Sequence, residues 1–181
     1  FPVQQEYWFP SWTEGNTVVK RFSEDATLLG DFTLPQRHVM DIWGDVDRYF
    51  YTAHWDDNTI SKWGPYPSIT RQWTASVPDT AAAISVDSDF VYVMGPTSPT
   101  VHRFSKQDGT SVVEYLPSGE EKEPITLSGA NNFGSATYGG LVVAAGEIYR
   151  AAASHVYRYS LETGEYSGVN FGTSVNQGSM A

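Results

Sequence analysis

Two pairs of carboxylates stand at matching places in two similar stretches, Asp45-Val46-Asp47 and Asp87-Ser88-Asp89. Carboxylates two residues apart can begin a Ca2+ site, although a complete one needs about six to eight oxygen ligands. Tight turns favour the same residues, because an Asp side chain hydrogen-bonds its own backbone two residues on. The turn reading is preferred, and no cofactor is expected; calcium is the one ion with a donor pair. The histidines are His38, His54, His102 and His155, and they show no metal-ligand spacing. A Gly-x-Ser-x-Gly elbow, a phosphate-binding Gly-rich loop and a zinc-protease motif are all absent. A Ser–His–Asp triad is set by geometry and not by order, so it stays open at this stage. Of the six Trp residues, Trp12 and Trp55 fall at strand ends near turns. They are the candidates for a carbohydrate or protein contact, since Trp offers flat, low-entropy contact area.

Composition narrows the classes of partner. The 181 residues carry 11 basic and 21 acidic side chains, a formal charge of −10. Nucleic-acid binding starts from Lys/Arg clusters that neutralise phosphates, and none is present. An anionic membrane surface is disfavoured for the same reason. No run of about 18 apolar residues exists to span a bilayer. With no cysteine, disulfide frameworks, thiolate metal sites and a Cys nucleophile are excluded. The chain starts at Phe1, has no Asn-x-Ser/Thr acceptor and is acidic. A secreted or otherwise extracytoplasmic location is the expectation, as for a mature chain or a fragment.

The elements that must hold these residues come from an internal repeat. Val18-Val19-Lys20-Arg21-Phe22, Thr59-Ile60-Ser61-Lys62-Trp63, Thr100-Val101-His102-Arg103-Phe104 and His155-Val156-Tyr157-Arg158-Tyr159 share a β-branched, variable, basic, aromatic order. Their aromatic positions lie 41, 41 and 55 residues apart, so the last spacing holds a loop insertion. An aromatic or β-branched run precedes each: Tyr7-Trp8-Phe9, Tyr49-Phe50-Tyr51, Val91-Tyr92-Val93 and Leu141-Val142-Val143. A further strand follows each, at 28–34, 69–75, 111–116 and 166–171. Small-residue strands separate the units, at 39–43, 82–86 and 135–138, and Gln177-Gly178-Ser179-Met180-Ala181 reads as the start of another.

About four strands in about 40 residues, with almost no helical periodicity, predict an all-β chain: a β-propeller of about four blades of four antiparallel strands. The whole chain is one domain, with repeats near 1–38, 39–80, 81–133 and 134–181. Val19, Ile60, Val101 and Val156 are expected to face one neighbouring blade. Phe22, Trp63, Phe104 and Tyr159, an odd number of residues away, face the other. The basic residue between them is expected to bury its stem and free its head.

The stretch Ile84–Val93, continued by Thr100–Phe104 and Asp108-Gly109-Thr110, resembles an NHL-type blade. It is also similar to blades of lactonase-like and gluconolactonase-like propellers, and Arg21–Gly30 shows the same plan. The resemblance implies ligand binding at the mouth of a central channel, where loops lead into the inner strands. The corresponding positions here include His38, Thr80, Asn132 and Gln177, which could hydrogen-bond a polar ligand. Lactonase-like enzymes hold a metal there with acidic and amide side chains. Only Asp79 is acidic in this set, so no metal site carries over. Phe1 to Leu34 supplies three strands of a blade and 177–181 the start of a fourth. The ring is therefore closed either by the chain itself or by another chain, for example by two copies forming eight blades. Function is expected to be non-enzymatic binding or scaffolding in a larger assembly, with a protein partner or second copy completing the ring. The alternatives are a metal-dependent lactonase-like hydrolase and a carbohydrate-binding propeller.

Overall fold

The computed structural model describes residues 6–11, 15–115, 121–122, 124–129, 140–152 and 155–172. Four antiparallel sheets follow one another along the chain. Blade 1 comprises β1 (Glu6–Pro10), β2 (Val18–Ser23) and β3 (Leu28–Thr33). Blade 2 is the meander β4 (Val39–Gly44), β5 (Phe50–His54), β6 (Thr59–Trp63) and β7 (Arg71–Ser76). Blade 3 holds β8 (Ala83–Val86), β9 (Phe90–Met94) and β10 (Thr100–Ser105). A hairpin, β11 (Glu114–Tyr115) with β12 (Glu121–Lys122), then precedes its outer strand β13 (Ile125–Thr126). Blade 4 is β14 (Leu141–Ala144), β15 (Glu147–Ala152), β16 (His155–Ser160) and β17 (Tyr166–Gly172). The chain is an all-β propeller of four blades, and among the described residues no strand of blade 4 pairs with blade 1. Blade 1 has three strands, and among the described residues β1 is paired on one side only, with β2.

The core lies between blades, which is why middle strands lack a clean polar alternation. All five residues of β5 are buried. Val19 and Trp63 share the cluster between blades 1 and 2, with Leu34, Val39, Ile42 and Phe50. Ile60 and Phe104 share the next, and Val101 and Tyr159 the third. The β-branched anchor thus faces the following blade, and the aromatic anchor faces the preceding one. Each buried side chain of this size contributes about 1.5–3 kcal/mol from apolar burial. The stretch that enters β8 is small, with Ala81, Ala82 and Ala83 all buried.

The basic heads are engaged and not free, because water-poor surroundings favour a partner for each. Each contacts the residue two before its cross-strand neighbour. Arg21 Nε lies 3.1 Å from Glu6 Oε2, and Arg158 Nε 3.3 Å from Glu147 Oε2. Lys62 Nζ stands 4.5 Å from the Tyr49 ring centroid and the Arg103 guanidinium 5.0 Å from that of Phe90.

Two strand assignments differ from expectation. Leu141-Val142-Val143 is the first strand of blade 4, and the second is Glu147–Ala152. A tight turn at Ala145 (φ 53°) and Gly146 (φ 78°) connects them. Two positive φ values match the right-handed strand twist, but an Ala in the first of them gives little sequence signal. The strands expected at 135–138 and 177–181 lie outside the described residues. The outer strand of blade 3 is not 111–116. Ser111 makes a single bridge to Phe104, the chain departs through β11 and β12, and β13 completes the sheet. That excursion holds most of the longer repeat spacing.

The turns joining third to fourth strands bear on neighbouring blades. An added Cβ at Gly109 (φ +75°) would lie 2.7 Å from the Trp73 ring of blade 2. At Gly164 (φ +73°) it would lie 2.3 Å from the Thr126 carbonyl oxygen of blade 3. Blade 1 has Ala26 (φ 61°) at the corresponding place.

Candidate functional site

The loops leading into β4 and β8 share one face of the propeller with the turns that join second to third strands. In blade 2, His38 Nδ1 is hydrogen-bonded to Asp56 Oδ2 in the β5–β6 turn. Gln36 Nε2 donates to Asp57 Oδ2 at 3.0 Å, and Arg71 donates to Gln36. In blade 3 the polarity is reversed. Asp79, in the loop, accepts from His102 Nε2 at 3.1 Å and from Ser98 Oγ at 2.9 Å. These two donors, that of His102 first, hold the Asp79 carboxyl below its ordinary range. A Cβ on Gly95 would come 2.9 Å from the Thr80 carbonyl oxygen, so Gly is needed for this turn to reach its loop.

Ser98, Asp79 and His102 are the three residue types of a hydrolytic triad in another order. In a triad, the imidazole stands between nucleophile and carboxylate. Here the carboxylate is central, and serine and histidine both donate to the same oxygen. Ser98 Oγ also accepts from Thr100 N at 3.1 Å. The group is a clamp that ties a loop to a turn, with no base aimed at the serine.

Of the residues expected at the channel mouth, His38 and Thr80 sit in corresponding loops of adjacent blades. Asn132 and Gln177 lie outside the described residues, as does Trp12. Trp55 is half-buried, and its backbone N–H donates to the His38 carbonyl at 3.2 Å.

The carboxylate pairs lie on the opposite face, in the turns between first and second strands. Asp87 Oδ1 accepts from the N–H groups of Asp89 and Phe90 at 2.9 and 2.8 Å, and Oδ2 accepts from Tyr92 Oη at 2.8 Å. Asp45 Oδ1 accepts from Val46 N, and Oδ2 lies 2.7 Å from Lys106 Nζ. Lys106 Nζ also donates to the Asp87 carbonyl, and Lys62 Nζ to the Lys106 carbonyl. Burial first, and then the Lys106 charge, lowers the Lys62 pKa. Among the described residues, no group of three or more His, Asp or Glu side chains is arranged to hold a metal.

The sequence reading missed a set of acceptors between blades. Thr17 Oγ1 accepts from Val39 N at 3.3 Å, Asp41 Oδ2 from Ile84 N at 3.0 Å, and Ser85 Oγ from Val143 N at 2.9 Å. Asp41 Oδ1 also accepts from Ile42 N at 2.9 Å. Blades 1, 2 and 3 each thereby satisfy a backbone N–H of the next inner strand. Asp41 is wholly enclosed, and burial pushes its carboxyl up to about 7. The signal was an Asp inside an otherwise apolar strand. A second enclosed network runs from Trp63 Nε1, which donates to Thr52 Oγ1, to His54 Nε2, hydrogen-bonded to the same hydroxyl at 2.9 Å. Burial lowers the His54 pKa to about 4.

No family model matches the chain, and no curated protein matches it. Solved structures do. The chain is similar to one in the crystal structure of a nidogen/laminin complex, at 10% identity and a TM-score of 0.63, covering 93% of this chain and 59% of that one. It is similar to the Neurospora crassa Pan2 WD40 domain, at 10% identity and a TM-score of 0.51, covering 91% and 49%. It is also similar to Myxococcus xanthus glutaminyl cyclase, at 16% identity and a TM-score of 0.56, covering 90% and 72%. The chain thus spans about half to three-fifths of the first two. These likenesses establish the fold, and their diversity shows that this fold serves unrelated activities.

Proposed function

We propose that the chain is a non-enzymatic β-propeller module that binds or scaffolds within an extracytoplasmic assembly, and that another polypeptide completes its ring. The observation that carries this reading is the state of blade 1. Phe9, Leu28 and Leu29 are 46%, 55% and 40% exposed, and β1 has one paired edge among the described residues. Unpaired strand edges and apolar faces are liabilities that proteins normally cover. The His–Asp groups support the same reading, since they tie loops to turns within blades. The nidogen neighbour comes from a complex with laminin, which illustrates a propeller fold in a protein assembly. No cofactor is part of this reading.

A panel of lactones and esters, with and without divalent metals, tests it. No turnover is expected. Metal-dependent turnover lost in Asp79→Asn or His38→Ala would overturn the proposal in favour of a lactonase-like hydrolase. Saturable binding on a glycan array that is lost in Trp55→Ala would replace it with the carbohydrate-binding reading.

A further inference from the structure

Three side chains carry a backbone hydrogen bond across the three seams between blades. Thr17, just before β2, accepts from Val39 N–H, Asp41 on β4 from Ile84 N–H, and Ser85 on β8 from Val143 N–H. Two of these acceptors are hydroxyls, which do not ionise at ordinary pH. The middle one is a carboxyl. Of the three contacts, only the one between blades 2 and 3 can change its charge.

Asp41 is buried, and both of its oxygens are used. Oδ1 accepts from Ile42 N–H at 2.9 Å and Oδ2 from Ile84 N–H at 3.0 Å. Its cross-strand partner on β5 is Ala53, which belongs to the apolar cluster shared with Ile84 and Val86 of β8. The titratable groups on the elements packed here are few. On the same side, β5 brings Tyr51, whose hydroxyl burial holds above its ordinary range. The loop into β8 brings Asp79, held below its ordinary range by His102 and then Ser98. Asp45, in the turn after β4, is tied to Lys106, and Lys62 donates to the Lys106 carbonyl. His54 lies on the other face of β5 by strand alternation. On the other side of β4, β1 brings Glu6, which is paired with Arg21. No charge among the described residues shifts the Asp41 carboxyl. Burial does, and it outweighs the pull of the two N–H donors.

We propose that the seam between blades 2 and 3 is a proton-controlled joint, closed while Asp41 is uncharged and loosened when that carboxyl ionises. An enclosed carboxylate regains water only when β4 and β8 part, so ionisation and opening are linked. The hydroxyl-held seams stay shut over the same range. Blades 1 and 2 then move as one unit, and blades 3 and 4 as another. This goes beyond the binding-module reading and does not depend on it.

Amide hydrogen exchange of the whole chain between pH 5 and pH 8, followed by NMR and corrected for the intrinsic chemical rate, tests the joint. Protection of the Ile84 N–H should fall about tenfold per pH unit up to about pH 7 and level off beyond. Protection at Val39 and Val143 should change less than about twofold. Asp41→Asn keeps an acceptor for Ile84 and removes the titration, so the trend at Ile84 should vanish. It should survive His102→Gln, which breaks the Asp79 clamp at the same seam. Protection at Ile84 that rises with pH overturns the proposal. So does a trend shared equally with Val39 and Val143, or one that persists in Asp41→Asn. Should Asp41→Asn fail to fold, the 13C shift of the Asp41 carboxyl in the unaltered chain decides, and a titration midpoint below about 5 overturns the joint.

Discussion

The same repeat position has opposite surroundings in the middle and at the leading end of this molecule. Trp63, the aromatic anchor of blade 2, is 1% exposed beneath blade 1. Phe22, its counterpart in blade 1, is only partly covered, and what touches it is the exposed ring of Phe9. The basic residues differ in one respect: in the terminal blades Arg21 and Arg158 pair with Glu6 and Glu147, while Lys62 and Arg103 lie over the rings of Tyr49 and Phe90. Arg21 also lies over a ring, that of Tyr66 in blade 2, at 4.6 Å. The difference teaches that the repeat encodes half of a junction. Whether an anchor becomes core depends on the blade beside it, so burial here is a property of neighbours and not of the residue.

The largest effect should come from breaking that contrast at its buried side. Trp63→Ala should cost about 3–5 kcal/mol, because it empties a filled junction, whereas Phe22→Ala in the isolated chain should cost about 1 kcal/mol or less. Urea midpoints of the two variants measure this. Equal costs would mean that Phe22 is already enclosed, as a completed ring requires.

Next is the enclosed carboxyl. Asp41→Ala leaves the N–H groups of Ile84 and Ile42 unpartnered, each a loss of about 1–3 kcal/mol. The pH behaviour sharpens the point. The Asp41 carboxyl is raised to about 7 in the folded chain from an ordinary value of 3.8. The folded state therefore holds more protons than the unfolded one between those values, and this group makes stability fall as pH rises through that window. His54 acts in the other sense. Its folded value of about 4 lies below the ordinary 6.5, so its contribution is lost as pH falls from about 6.5 towards 4. Asp41→Asn should raise the urea midpoint at pH 8 relative to that at pH 5, because the opposite trend from His54 is then uncompensated. An unchanged difference would show that Asp41 does not titrate there.

A smaller effect belongs to the loop clamps. His102→Ala should cost about 1 kcal/mol, the usual size of one hydrogen bond, with faster amide exchange in the Asp79 loop and none elsewhere. Smallest are the terminal ion pairs. Glu6→Gln should cost under about 1 kcal/mol, and the cost should fade in high salt. Lys62→Met should be less sensitive to salt, because Lys62 sits on a ring and a carbonyl.

The anchors at 22, 63, 104 and 159 were legible because an odd offset between β-branched and aromatic residues dictates opposite faces of a strand. The limits of blade 4 were not, since the turn at Ala145-Gly146 carries no Asn-Gly or Asp-Gly and resembles the surrounding apolar sequence. The excursion in blade 3 was visible as a longer spacing, but nothing local distinguishes Ser111 from a strand start. At the candidate site, His38 was singled out by its place in the repeat. Its partner Asp56 is both a turn residue and a hydrogen-bond partner, and the turn role alone accounts for an Asp at that place. The Asp79–His102 clamp joins residues 23 apart on different elements, a proximity that only the folded blade creates. Asp41 was not legible as a site, because an Asp in an apolar run usually marks a surface, whereas here backbone N–H groups from two blades converge on it.

Ala26 sets a mechanical limit on any ring this chain joins. Glycine lets the outer turns of blades 3 and 4 bite into the strand before them, so those seams are latched at the rim as well as at the axis. A blade seated against Ala26 lacks the rim latch and can swing about its inner strands. Under heat or load the circle would gape there first, like a clasp, while the three internal seams stayed shut.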